Sequence, residues 1–266
     1  MKKAVIFVHI PKTAGTSFAR ILRENYFLWD KRRVYWQDYQ VTKPITEMTP
    51  KERRRLDVIH GHFSFGMHEL LDSPFSYVTF LRDPVKRMLS FYNYILVTPE
   101  HYLHKQVAEQ GMSIMEFFQS GMTKELDNLQ VRMLQGDEHA IPFGEVDEEH
   151  LALAKKNIEA HFPVVGLTEY FDESLLLIRD RLWKLFPFYV RANQVKKEKP
   201  KLDEDLVQLI REQNQYDILL YEWAEQRLLK QVAEAGSGFP PRLDSFRKMN
   251  RLFGALISLL PIYKKC

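Results

Sequence analysis

Residues 4–17 set the strongest limit on what this chain folds into. Ala4 to Ile10 is an apolar run broken only by His9, the pattern of a strand covered on both faces of a parallel sheet. Behind a short loop, Phe18, Ile21, Leu22 and Tyr26 recur at helical spacing, so the chain leaves the sheet as an amphipathic helix. The loop between them, Pro11-Lys12-Thr13-Ala14-Gly15-Thr16-Ser17, therefore lies at the carboxyl end of a strand and faces a helix N-terminus. Unsatisfied amides and the positive end of the helix dipole suit a phosphate or sulfate there. Gly15 permits close backbone approach, and Lys12 adds a full charge. Without a ligand, the same segment is a sheet-to-helix turn capped by Thr16, with Lys12 in solvent.

The ATP-binding loop G-x-x-x-x-G-K-[ST] places lysine after its last glycine, beside a hydroxyl that holds magnesium. Here Lys12 precedes Gly15, and residues 1–14 contain no glycine. The order of residues points to an anion and leaves that anion open.

A second unit has the same form. Tyr77 to Leu81 reads as a buried strand, followed by Arg82-Asp83-Pro84 and a helical pattern through Leu96, with Asp83 and Pro84 suited to the N-cap and first helical position. Val85, Leu89, Tyr92 and Leu96 form the expected core stripe, with Arg87, Ser90 and Tyr94 on the other side. Arg82 then stands beside a helix start with Ser90 about two turns on, and a guanidinium and hydroxyl so placed can share one phosphate. The alternative partners of Arg82 are Asp83 and Glu69.

Leu56 to Ile59 reads as a short strand that enters His60-Gly61-His62, again at a strand end where sites of open α/β sheets collect. Histidines two apart on an extended segment point to opposite sides, so one of them at most faces a substrate directly. No neighbouring Cys, and no further His, Asp or Glu, completes a metal-ligand set around them. His9 lies on the apolar strand and reads as a core residue or loop support.

Val164 to Leu167 is a third short strand, followed by Thr168-Glu169 and an apolar helix. Strands separated by helices predict a three-layer α/β, P-loop-like fold with a central, mainly parallel sheet flanked by helices. At 266 residues and 45% hydrophobic content, the chain can bury one substantial core.

These motifs resemble the sulfotransferases that use 3′-phosphoadenosine 5′-phosphosulfate (PAPS), especially the family 2 carbohydrate enzymes that include heparan sulfate 2-O-sulfotransferase. H-I-P-K-T-A-G-T-S is similar to that family's 5′-phosphosulfate loop, and F-L-R-D-P-V-K-R-M-L-S to its 3′-phosphate segment. Weaker likeness runs through residues 60–66, 127–134 and 165–174, so it covers most of the chain to about residue 200. The resemblance implies that Lys12 and the backbone of Thr13, Ala14, Gly15, Thr16 and Ser17 hold the 5′-phosphosulfate, and that Arg82 and Ser90 hold the 3′-phosphate. It places the catalytic histidine in H-G-H, with His62 as base and His60 in support, and implies in-line transfer to an acceptor hydroxyl on a glycan or glycolipid. Transfer leaves 3′-phosphoadenosine 5′-phosphate and requires no metal. Arg132, four residues after Asn128 on an expected helix, is a further candidate for contact with the donor. Arg191, Asn193, Lys196 and Lys197 form a basic stretch where many such enzymes complete the donor site.

A net charge of +3 argues against a general nucleic-acid binder. The run Lys51-Glu52-Arg53-Arg54-Arg55 reads as a solvated helix face, with docking of an anionic glycan as the alternative. Trp29, Tyr35, Trp36 and Tyr39 either stack on sugars or cover the sheet. The single cysteine, Cys266, excludes an intrachain disulfide framework, and only Met1-Lys2-Lys3 precedes the first strand. The expectation is a cytoplasmic enzyme. Residues 1–235 are read as the catalytic domain, 236–241 as a linker and 242–266 as a basic amphipathic tail that packs on the domain or touches an anionic membrane. Two rival functions share the strand-loop-helix: a P-loop kinase or other nucleotide-dependent phosphotransferase, and a non-catalytic nucleotide- or glycan-binding module.

Overall fold

The computed structural model describes residues 4–26, 34–36, 44–182, 187–190 and 203–258. Its centre is β1 (Ala4–Val8), whose five side chains are all buried. Around it lies an all-parallel sheet in the order β2-β3-β1-β4-β5, where β2 is Val34–Trp36, β3 is Val58–Gly61, β4 is Phe75–Leu81 and β5 is Val164–Leu167. Val8 at the end of β1 pairs with Gly61 on one side and Thr79 on the other. That register brings the residues after all three strands to one edge of the sheet.

The helix α1 (Gly15–Tyr26) follows β1 and buries Phe18, Ile21 and Leu22, as their spacing predicts. After α2 (Pro50–Arg53), α3 (Pro84–Val97) follows β4, with the Asp83 carboxylate accepting the Lys86 amide at 2.9 Å and Pro84 opening the helix. Next come α4 (Ile114–Gln119), α5 (Leu129–Gln135), α6 (Glu148–His161), α7 (Phe171–Arg181), α8 (Glu204–Gln213), α9 (Gln215–Glu234) and α10 (Phe239–Ser258). The connection leaving β1 runs toward the β2 edge, and the one leaving β4 runs toward β5. The crevice between the ends of β1 and β4 is therefore the switch point at which open parallel sheets bind ligands.

The face of α3 differs from the expectation. Val85 is buried, but the stripe continues through Met88, Phe91 and Ile95, which form a second core with Phe117, Phe118, Leu206 and Ile210, whereas Leu89, Tyr92 and Leu96 are only partly buried against it. Arg87, expected outside, is fully buried and donates from Nη2 to the Glu125 carbonyl at 2.8 Å. A helix with apolar residues nearly all round offers no single stripe, so its neighbours decide which side faces inward.

The chain turns at residues 236–238, with Gly236 at φ +77° ending α9, and α10 already begins at Phe239. The expected linker at 236–241 is thus shorter. Pro240 and Pro241 lie in the first helical turn, where absent amide donors cost nothing. Phe239, Leu243 and Phe246 are buried in the same core as the sheet, and Arg247 pairs with Asp172 at 3.1 Å and Glu173 at 2.8 Å on α7. Each buried side chain contributes roughly 1.5–3 kcal/mol. Tyr35 is likewise in the core, whereas Trp29, Tyr39, Arg191, Asn193, Lys196, Lys197, the Trp36 side chain and the end of the tail lie outside the described residues. Among the described residues, no helix is long and apolar enough to cross a membrane.

Candidate functional site

A cavity of about 750 Å³ opens at the β1/β4 crevice. Lys12, Ala14, Gly15, Thr16, Ser17, His62, Arg82 and Ser90 all line it, so residues spread over nearly eighty positions of sequence converge on one space. The loop after β1 is bent rather than relaxed: Lys12 and Ala14 hold φ of 68° and 64°, a left-handed conformation that costs a non-glycine residue on the order of 1–3 kcal/mol. Left-handed residues within a turn are a recurring backbone feature of anion-binding concavities. Two bonds hold the bend. The Thr13 hydroxyl donates to the Ile10 carbonyl at 2.8 Å, and Arg82 Nη1 donates to the Lys12 carbonyl at 3.1 Å. The Thr13 side chain is buried in that role and does not line the cavity.

Lys12 and Arg82 put two cations on the same wall. Burial and then the nearby guanidinium lower the Lys12 ammonium to about 8, although Glu125 opposes the shift. The ammonium rests 3.7 Å from the centre of the Tyr94 ring, a cation–π contact. Burial also lowers the Arg82 pKa, and Arg82 Nε is a buried donor with no hydrogen-bond partner among the described residues. Such a donor costs free energy until an acceptor reaches it. Asp83 uses its carboxylate to cap α3.

The three histidines separate by function. His62 lines the cavity, and its Nδ1 lies 2.6 Å from the His9 carbonyl oxygen. A carbonyl only accepts, so Nδ1 carries the proton and the neutral ring has its lone pair on Nε2. His60 is buried beneath, with Nε2 3.1 Å from His9 Nδ1, and is not among the lining residues. Burial, followed by the repulsion that a second proton on neighbouring His62 would exert, holds His60 down to about 3; burial and the neighbouring His62, His60 and Lys12 hold His9 to about 2. Both rings are neutral at ordinary pH. Among the described residues, no group of three or more His, Cys, Asp or Glu is arranged to hold a metal.

Arg132 does not belong to this site. It is fully buried, bonded to the Asp127 carboxylate, and donates to the carbonyls of Asp127 at 2.7 Å, Ile141 at 2.6 Å and Pro142 at 2.7 Å. Asp127 at the start of the segment draws the guanidinium inward and away from the cavity. Its helix neighbour Gln130 does serve the site, because it holds the backbone of Arg82.

The rest of the lining comes largely from segments without a sequence signature: His101, Tyr102, Thr123, Lys124, Glu125, Glu138 and His139. Glu125 accepts the Tyr102 hydroxyl at 3.1 Å. Burial raises its pKa, while Arg87, Tyr102, His62 and Lys12 oppose that rise. The cavity thus combines Lys12 and Arg82 at the strand ends with carboxylates, hydroxyls, Lys124 and several histidines, His62 among them, elsewhere in its lining.

The galactose-3-O-sulfotransferase family model matches residues 2–252. Heparan-sulfate 6-O-sulfotransferase 1 of Homo sapiens is 27% identical over 270 aligned residues, covering 83% of this chain and 64% of that protein. The Mus musculus protein of that name gives the same identity and coverage, and the Gallus gallus protein is 26% identical over 83% of this chain and 65% of its own length. The chain spans a little under two thirds of the length of these curated relatives.

Proposed function

Because this chain belongs to the galactose-3-O-sulfotransferase family, we propose that it moves a sulfuryl group from PAPS to a carbohydrate hydroxyl, with His62 as the base. One observation carries the reading: a histidine whose lone pair is fixed on Nε2 lines the same cavity as a strained amide loop, Lys12 and Arg82. The residues fit the donor. Arg82, whose Nε has no partner among the described residues, and Ser90 would hold the 3′-phosphate; Lys12 and the amides of residues 14–16 would hold the 5′ end, since Thr13 does not line the cavity and the Ser17 amide donates to the Ala14 carbonyl at 3.1 Å. When bound, PAPS supplies an activated sulfuryl group on a nucleotide leaving group.

Sulfuryl transfer, like phosphoryl transfer, depends on alignment and on charge stabilisation. His62 Nε2 takes the acceptor's hydroxyl proton, while Nδ1–H stays on the His9 carbonyl, which steadies the ring as it becomes cationic. Lys12 places its charge where the leaving oxygen gains electron density, inside a cavity that strengthens the interaction. Glu125, Tyr102 and Glu138, which also line the cavity, are hydrogen-bonding groups suited to sugar hydroxyls. The family description and the relatives' names differ in sugar and position, so the common ground is a carbohydrate hydroxyl.

The test pairs binding with turnover. Stabilisation by 3′-phosphoadenosine 5′-phosphate without metal, and labelled sulfate transfer to galactosides or heparan sulfate, is expected, with His62→Ala losing about a hundredfold or more in kcat. A thermal response only to ATP with magnesium supports the kinase reading. Tight nucleotide binding with no transfer to any acceptor supports the binding module.

We also propose that α10 touches anionic membranes through its outer face. Met249, Leu252 and Leu256 are 51%, 72% and 64% exposed, with exposed Lys248 and Arg251 nearby, whereas Leu243 and Phe246 are buried. Full-length protein is expected to float with phosphatidylserine vesicles and to lose this when Leu252 and Leu256 are both replaced by Glu. Equal flotation of the two proteins would refute the contact.

A further inference from the structure

The ring of His9 fills the space that a side chain at position 15 would need. A β-carbon placed on Gly15 would stand 1.9 Å from His9 Cδ2 and 2.1 Å from its Nε2. The same ring stacks on His62, with centroids 4.2 Å apart and planes 28° from parallel, and its Nδ1 bonds His60 Nε2 at 3.1 Å. The backbone of His9 completes the arrangement: its amide donates to the Gly61 carbonyl at 3.0 Å, and its carbonyl accepts from His62 Nδ1 at 2.6 Å.

We propose that His9 is a positioning residue that couples the donor loop to the base: its ring, wedged against Gly15 and stacked on His62, fixes the end of β1 so that its carbonyl holds the Nδ1 proton of His62. The kinetic consequence rests on the sulfotransfer reading, whereas the tautomer rests on geometry alone. His9 and His60 are both neutral, so the bond between them joins one N–H to one lone pair and locks the orientation of the His9 ring. Rotating His9 to another rotamer breaks that bond, unstacks His62 and leaves a gap over Gly15 at once. A tilt of the loop and a tilt of the base are therefore the same event. An error of about 1 Å in such a constellation costs on the order of a hundredfold in rate.

Histidine-selective ¹⁵N NMR on the full chain reads the tautomer directly. Wild-type His62 is expected as Nδ1–H. In His9→Ala its population shifts toward Nε2–H, kcat falls by roughly tenfold to a hundredfold, and affinity for 3′-phosphoadenosine 5′-phosphate falls by less. His9→Phe, which keeps a flat ring in the wedge, restores most of the tautomer and rate. An unchanged Nδ1–H population in folded His9→Ala overturns the proposal. If that variant does not fold, His9→Leu, which fills volume without a flat ring, is read in the same way. Wild-type protein that fails to bind the nucleotide defeats the sulfotransfer reading alone, and the tautomer still decides the role of His9.

Discussion

Gln130 and Arg82 exchange two hydrogen bonds: the Arg82 amide donates to Gln130 Oε1 at 2.9 Å, and Gln130 Nε2 donates to the Arg82 carbonyl at 3.0 Å. The glutamine is itself fixed, because Asp217 on α9 accepts the Gln130 amide at 3.1 Å and the Val131 amide at 2.8 Å. Asn128 anchors the same helix pair by accepting the amides of Tyr216 and Asp217. The backbone of Arg82, just past the end of β4, is thus held by a side chain as it would be by a neighbouring strand. In Gln130→Ala, affinity for 3′-phosphoadenosine 5′-phosphate should fall about tenfold, equivalent to ~1.4 kcal/mol, as the guanidinium loses its fixed base. Isothermal titration beside a melting curve checks this. A lower melting temperature with unchanged affinity would reduce Gln130 to a packing residue.

The Lys12 ammonium, lowered to about 8 by burial and Arg82, gives donor binding a basic limb. Below that value the lysine is charged and the anion meets two cations. Above it, binding must also take up a proton, so affinity for 3′-phosphoadenosine 5′-phosphate should fall by as much as tenfold per pH unit. Lys12→Arg, which stays charged, should bind without that limb between about pH 7 and 10. Titrations across that range check both proteins, and a limb that survives in Lys12→Arg assigns it to another group.

Both strand-loop-helix units were legible in the sequence because each is local. A buried apolar run, a loop and a helix start lie within about fifteen residues, and parallel pairing through the register Val8↔Gly61 and Val8↔Thr79 then sets His62 and Arg82 beside Lys12. The strain at Lys12 and Ala14 had no such signature, since neither residue type announces a positive φ. The rest of the lining was illegible for a different reason. Tyr102 and Glu138 stand in turns and Glu125 in the short 3-10 helix Lys124–Leu126, all between α3 and α6, and tertiary packing alone brings them to the cavity. Charge also misled where it was buried. Arg87 and Arg132 look like surface or ligand residues in a linear reading, yet both are fully buried, with carbonyls and, for Arg132, a carboxylate as partners.

That assignment of Arg132 has its own test. Removing the guanidinium leaves the Asp127 carboxylate in the interior, with its remaining bonds from the Gly144 amide and Asn128. Arg132→Leu should lose about 3–5 kcal/mol of stability, the usual cost of breaking one side of a buried ion pair. The folded fraction should bind 3′-phosphoadenosine 5′-phosphate with wild-type affinity. Urea unfolding and nucleotide titration measured on one preparation separate the two effects, and a selective loss of affinity would return Arg132 to the donor site.

The neutral pair His9 and His60 makes the fold sensitive to acid. Their folded pKa values lie near 2 and 3, well below the ordinary 6.5, because burial disfavours the charged rings. Between those limits the unfolded chain binds protons that the folded chain refuses, so stability is full above about pH 6.5 and declines as pH falls toward 3. Glu125 and Asp217, whose pKa values burial raises, act in the opposite sense, so the contribution of the pair is best read as a difference between proteins. His9→Phe removes one titrating ring while retaining a flat side chain against Gly15 and the His62 stack. Between pH 4 and 6 its unfolding free energy should depend on pH less steeply than wild type, by up to ~1.4 kcal/mol per pH unit. Urea unfolding at a series of pH values measures the two slopes. Parallel slopes would mean that His9 is protonated in the folded protein, and that its bond to His60 joins a cation to a neutral ring.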